Sequence, residues 1–261
     1  MINSLIHHRS FIISAVKTEF ANRFVKSKLG FGWLIIQPLV TALILTFVLS
    51  QIIQTKFPGV DPTIGYAAYL LSGVLAWTAF TETFLRSLNV FIENKTLIQK
   101  TNIPRVVFPA ILLGQLGIQM SLMAFATLLV LKLAGLPVTS SSLILFPMLL
   151  VTLLISAILG TWFGILNVFS RDIGQFFPVA FQLAFWATPI VYQREILPKE
   201  IANYMSFNPF LYLITPYQDL ILYSKLPALN FWIGSMLLIT VLALLFIVTY
   251  KRASNELVDV L

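Results

Sequence analysis

Cysteine is missing from all 261 residues, which excludes disulfides and thiolate metal sites. Histidine occurs only as the adjacent pair His7 and His8. Neighbours on a helix point in different directions, so no metal site is expected. Charge is the scarcest ordinary commodity. Asp, Glu, Lys and Arg make up 10% of the chain, against about 25% in soluble domains. With 58% apolar residues and a mean hydropathy of +0.90, the chain cannot cover itself against water, and most of its surface must face lipid. No Gly-Lys dipeptide occurs, so the phosphate-cradling Walker A loop is absent and nucleotide cannot be held by that route. His-Glu-x-x-His, Gly-x-Ser-x-Gly and clustered carboxylates are missing too, leaving a hydrolase without metal or nucleophile. These absences predict a polytopic α-helical membrane protein that carries no active site of its own.

What is present is a series of charge-free intervals. Lys28 to Lys56 encloses 27 uncharged residues, Asp61 to Glu82 20, Arg105 to Lys132 26, Lys132 to Arg171 38, Asp172 to Arg194 21 and Lys225 to Lys251 25. About 20 apolar residues cross roughly 30 Å of hydrocarbon, so six spans are predicted, at 31–55, 63–90, 106–131, 143–169, 173–192 and 228–250. The uncharged stretch Ile201 to Gln218 differs: it holds Asn203, Ser206, Asn208, Pro209, Thr215 and Pro216. Proline frees backbone groups that lipid cannot satisfy. Residues 195–224 therefore read either as short re-entrant outer helices or as a surface loop with apolar anchors.

Six spans put both termini on one side. That side collects twelve Lys and Arg, among them Arg9, Lys17, Arg23, Lys26 and Lys28, and the other collects five. The positive-inside rule makes the richer side cytoplasmic, so the net charge of +7 needs no nucleic acid. Residues 1–28 space Leu5, Ile12, Val16, Phe20 and Phe24 helically among Arg9, Lys17, Asn22 and Arg23. This is the pattern of an amphipathic helix in the cytoplasmic interface rather than the solid apolar block of a signal peptide. The whole is one membrane domain.

Four groupings could carry function. Glu82 and Arg86 lie four apart on the second span. They form a polar pair facing the bundle interior, or else a solvated pair where the helix emerges. Gly160 and Gly164 form a small-xxx-small pair that suits helix packing within the subunit. Around the fifth span, Phe176, Phe177, Phe181, Phe185, Trp186 and Tyr192 crowd about Pro178 and Pro189. Aromatic faces stack on the C–H faces of sugars, but they also serve lipid contact. The cytoplasmic loop from Glu93 holds Lys95, Lys100, Pro104, Arg105 and Pro109 around a short amphipathic piece. It is either a docking helix for a soluble partner or a plain connection.

These residues in this order resemble the type-2 ABC transporter permeases that export polysaccharides: O-antigen, capsule and teichoic-acid exporters. Before the first span come Arg23, Lys26, Ser27, Leu29, Gly30, Trp33, Pro38 and Leu39. At the second come Gly65, Tyr66, Tyr69 to Leu71, Gly73 and Trp77, and in the loop Asn94, Leu97, Ile98, Lys100 and Pro104. Around the fifth come Arg171, Asp172, Ile173, Pro189, Ile190, Tyr192, Pro198, Asn208 and Pro209. The chain departs at Tyr217-Gln218-Asp219, where family members often place an Arg.

The resemblance implies a homodimer of six-span subunits in a bacterial inner membrane, paired with separate ATP-binding subunits that carry the ATP and Mg. It implies a seat for that partner at Glu19, Arg23, Glu93, Lys95, Leu97, Ile98, Lys100, Pro104 and Arg105. It further implies a conduit through Trp33, Phe176, Phe177, Phe181, Phe185, Trp186 and Tyr192, with an outer gate at Asn208, Pro209, Tyr212 and Tyr217. Its cargo would be a lipid-linked glycan, O-antigen foremost. An ion-coupled secondary transporter would instead show internal repeats and mid-span carboxylates, an ABC exporter of a non-glycan cargo would share the frame, and a membrane glycosyltransferase would need converging acidic or histidine groups.

Overall fold

The computed structural model describes residues 6–25, 32, 33, 36, 40, 62–101 and 103–253. Among these the chain is entirely helical and irregular, with no strand. The helices are α1 (Arg9–Val25), α2 (Pro62–Glu93), α3 (Lys95–Lys100), α4 (Val107–Leu133), α5 (Leu145–Phe169), α6 (Asp172–Trp186), α7 (Lys199–Met205), α8 (Pro209–Tyr223) and α9 (Leu229–Ala253). Four helical stretches are long and apolar enough to cross a bilayer: Ile64–Glu93, Val107–Leu133, Ser140–Phe169 and Leu229–Arg252. The protein is thus a multi-pass membrane protein. The predicted first span, 31–55, lies almost wholly outside the described residues.

The fifth predicted span behaves unlike the rest. Its helix α6 has 15 residues, about 22 Å at 1.5 Å per residue, and stops at Trp186. The cause is local: Pro189 cannot donate a backbone hydrogen bond, and a residue preceding proline is pushed out of the helical region.

Helix α2 is the hub. In its span 72% of the most apolar stretch is buried, against 6% for α9, which packs chiefly on α5 among the described helices. The principal seam joins α2 to α5. Gly160 and Gly164 make it: a Cβ on Gly160 would lie 2.4 Å from the Phe84 carbonyl oxygen, and one on Gly164 3.0 Å from that of Ser87. The small-xxx-small pair therefore works inside the subunit, letting two backbones touch where lipid offers no hydrophobic drive to hold helices together. Asn167 closes the end of this seam, donating from Nδ2 to Leu88 O (3.3 Å) and to Asn89 Oδ1 (3.1 Å). Trp162 Nε1 donates to Thr249 Oγ1 at 3.1 Å and ties α9 to α5. Helix α1 rests on the start of α4, where Val16 packs with Val107 and Ile111, and a Cβ on Gly114 would meet Val16 at 2.9 Å. Helices α1 and α3 thus share one end of the bundle, here termed proximal; the start of α2 marks the distal end.

Candidate functional site

Helix α6 carries two faces. Towards the core, Phe181 is buried and Phe177 and Phe185 are half-buried. These rings meet Trp77, Phe80 and Phe84 of α2, Phe163 of α5 and Phe210 of α8. Centroid distances run from 4.5 Å for Phe84–Phe177 to 6.3 Å for Phe181–Phe210, the range in which edge-to-face and tilted pairs are favourable. Away from the core the same helix leaves Phe176, Val179, Leu183 and Trp186 exposed, with Gln175 and Gln182 beside them. The six aromatic residues predicted together therefore divide. Phe176 and Trp186 face out, Phe177, Phe181 and Phe185 hold the bundle, and Tyr192 turns back to donate its hydroxyl to Trp186 O at 2.9 Å. Trp33 is exposed as well.

Beyond Trp186 the backbone is irregular through Gln193 yet buried from Thr188 to Val191. Its carbonyls cannot be satisfied by lipid, and non-helical backbone is tolerated at membrane depth only where protein supplies the partners. Here α2 and α8 supply them. Tyr66 donates to Val191 O (2.7 Å). The Tyr69 hydroxyl lies 2.7 Å from Pro189 O and 2.9 Å from Tyr192 O and is shared between them. Gln218 Nε2 donates to Pro189 O at 3.2 Å. Gly73 is needed for this approach, since a Cβ there would meet Gln218 Nε2 at 2.9 Å and Ile190 Cγ2 at 3.2 Å. Gln218, within the Tyr217-Gln218-Asp219 stretch where the resemblance breaks, is thus an uncharged amide buried beside the α2 backbone.

The outer segment forms α7 and α8 at the distal end. Asn208 caps α8 by accepting from Phe210 N at 2.9 Å, a side-chain oxygen taking up a first-turn amide. Pro209 occupies the first turn, where its missing N–H costs nothing. Asn208 Nδ2 also donates to Ala187 O (3.1 Å) and Thr188 Oγ1 (2.9 Å), joining α8 to the end of α6. Of the predicted gate tyrosines, Tyr212 is 75% exposed, whereas Tyr217 is fully buried and hydrogen-bonded to Thr152 of α5 at 2.8 Å.

Glu82 and Arg86 lie within the bundle and belong to a ladder spanning two helices. Gln119 Nε2 of α4 donates to both carboxylate oxygens of Glu82 at 2.9 and 3.1 Å. Arg86 Nη2 donates to Gln115 Oε1 at 3.3 Å, and Arg86 Nη1 stands 3.9 Å from Glu82 Oε1. Gln115 and Gln119 went unnoticed in the sequence, although their own four-residue spacing on an apolar span carried the signal.

At the proximal end, Asn94 breaks α2 from α3 and donates from Nδ2 to Val90 O at 2.8 Å. Ile98 is buried and anchors α3, leaving Lys95, Leu97 and Lys100 exposed, with Glu93 exposed just before them. Pro104 and Arg105 are half-buried between α3 and α4. Glu19 and Arg23 lie on α1, their side chains outside the described residues.

Residues 11–222 match the ABC-2 type transporter family. Two proteins from Klebsiella pneumoniae, each named O-antigen export system permease protein RfbA, are 26% identical to this chain. One aligns over 78% of this chain and 77% of its own length, the other over 92% and 90%. A Myxococcus xanthus protein of the same name is 24% identical over 87% of this chain and 86% of its own length. With four bilayer-length helices and a family match covering most of its length, this chain belongs to the ABC-2 type transporter family, as a membrane-spanning permease subunit.

Proposed function

We propose that this chain is the permease of an ATP-driven exporter that moves a lipid-linked polysaccharide, O-antigen foremost, across a bacterial inner membrane. It works as a homodimer with separate ATP-binding subunits, and the proximal end faces the cytoplasm. The observation that carries this reading is the division of α6. Phe177, Phe181 and Phe185 lock one side into the core, while Phe176, Leu183 and Trp186 stay uncovered beside Gln175 and Gln182. Aromatic faces with neighbouring amides suit glycan rings, which need stacking surfaces and hydrogen bonds but no fixed charge. The exposed face of α3, Lys95, Leu97 and Lys100, offers the ATP-binding partner a rigid apolar and basic contact.

Two experiments test this. Purification in mild detergent should bring down an ATP-binding protein, and the doubly reversed variant Lys95→Glu/Lys100→Glu should lose it while still inserting. Glycan export by the chain without any ATPase would overturn the reading. Second, Trp186→Ala should slow export with little change in thermal stability, because that ring is exposed. Phe181→Ala should destabilise by about 3–5 kcal/mol, the usual cost of emptying a buried aromatic site. If Trp186→Ala instead leaves the export rate unchanged, the uncovered face of α6 is not the glycan path.

A further inference from the structure

A cavity of about 1120 Å³ opens between α5, α8 and α9 at the distal end. Sites for small molecules run to roughly 300–1,000 Å³, so this space suits a larger occupant. Its wall is apolar, built from Ile155, Leu159, Phe210, Phe231 and Leu238 with Phe80 at the floor. On α9, Gly234 leaves the wall without bulk: a Cβ there would meet nothing within 4 Å. Because α9 is long and apolar enough to cross a bilayer and is mostly unburied, a cavity beside it is open to acyl chains along its apolar wall, with polar residues at its distal rim.

The rim is charged. Arg194 donates from Nε and Nη2 to Ala202 O at 3.1 and 2.7 Å and from Nη2 to Ser206 Oγ, which fixes its guanidinium over the opening. No ion pair among the described residues neutralises it. The other rim charges cancel, since Lys225 pairs with Asp219 at 3.0 Å. A cation with no ion-pair partner among the described residues, set above a long apolar chamber, is complementary to an amphiphile with an anionic head.

We propose that this cavity is the site of a resident anionic glycerophospholipid, its chains lying against α5, α8 and α9 and its phosphate at Arg194. The occupant is a lipid of the bilayer and not the exported cargo: Pro209 and Tyr212 of the expected gate lie on the cavity wall, but no residue of α6, the proposed glycan path, lines it. Phe80 and Phe210 stand between it and Phe181. The site therefore holds or fails independently of the transport reading.

Native mass spectrometry of the full-length protein, titrated in mild detergent with phosphatidylglycerol or phosphatidylcholine, tests the assignment. The unaltered protein should retain phosphatidylglycerol in preference to phosphatidylcholine. Arg194→Gln should weaken phosphatidylglycerol retention about tenfold, the scale of one charge-assisted contact, and leave phosphatidylcholine unchanged. Arg194→Lys keeps the charge and should keep the preference, which separates charge from loop folding. Gly234→Phe fills open space and should reduce retention of both lipids. Equal retention of the two lipids by the unaltered protein, or undiminished retention in Gly234→Phe, overturns the proposal. So does displacement of phosphatidylglycerol by an equimolar polyprenyl phosphate, which would assign the cavity to a cargo carrier.

Discussion

Gly160→Leu should leave almost no correctly assembled protein in the membrane. A side chain at this position would begin 2.4 Å from the Phe84 carbonyl oxygen, 2.8 Å from Ser87 Cβ and 3.0 Å from Phe84 Cα. Two of the three atoms are backbone, so no rotamer change can yield room. Overpacking a core costs about 1–3 kcal/mol where side chains can shift, and here α2 and α5 must separate along their whole contact. Everything else hangs on that seam: α2 carries the tyrosines that hold the chain after α6, and α5 carries the Thr152 that holds Tyr217. Gly117→Ala is the control, since a Cβ there meets nothing within 4 Å and alanine is the better helix former by about 1 kcal/mol. The yield of monodisperse protein after detergent extraction should collapse for the first variant and hold or rise for the second. Equal yields would mean that the two helices do not touch as described.

The double variant Tyr66→Phe/Tyr69→Phe should carry the next largest effect. It preserves both aromatic bodies and removes only two hydroxyls. Those hydroxyls serve Val191 O, Pro189 O and Tyr192 O, and among the described residues only Pro189 O retains another donor, Gln218. A buried carbonyl left without a partner costs about 1–3 kcal/mol, so the pair should lower thermal stability measurably and loosen residues 187–193 before the rest of the bundle melts. Hydrogen exchange would read this directly, as faster exchange confined to that segment. Tyr212→Phe, altering a ring that is 75% exposed, should change neither. Uniform destabilisation without local loosening would show that the hydroxyls support packing in general and not this connection.

The sequence was most legible where physics sets a minimum. About twenty apolar residues are needed to cross hydrocarbon, and the predicted spans 63–90, 106–131, 143–169 and 228–250 overlie α2, α4, α5 and α9. The fifth span was less legible because apolarity does not report where a helix stops. Pro189 carried a local hint, yet the groups that make an irregular backbone tolerable there, Tyr66, Tyr69 and Gln218, come from distant parts of the chain. Likewise six aromatic residues could be counted, but which of them point inward depends on the rotation of α6 against α2, and that is a tertiary property. Half of the Glu82–Arg86 ladder was visible from spacing on one helix. Its other half, Gln115 and Gln119, is uncharged and became evident only once two helices lay side by side.

Among the described residues helix α9 packs mainly on α5, with Trp162 and Thr249 as its polar stitch, and turns Leu237, Leu244 and Val248 outward. Exchanging one of these for another aliphatic residue trades one hydrocarbon neighbour for another. The outward face of this helix is therefore where the protein can drift in sequence, adapt to bilayers of different thickness or accept a fluorescent reporter at little cost to the machinery behind it.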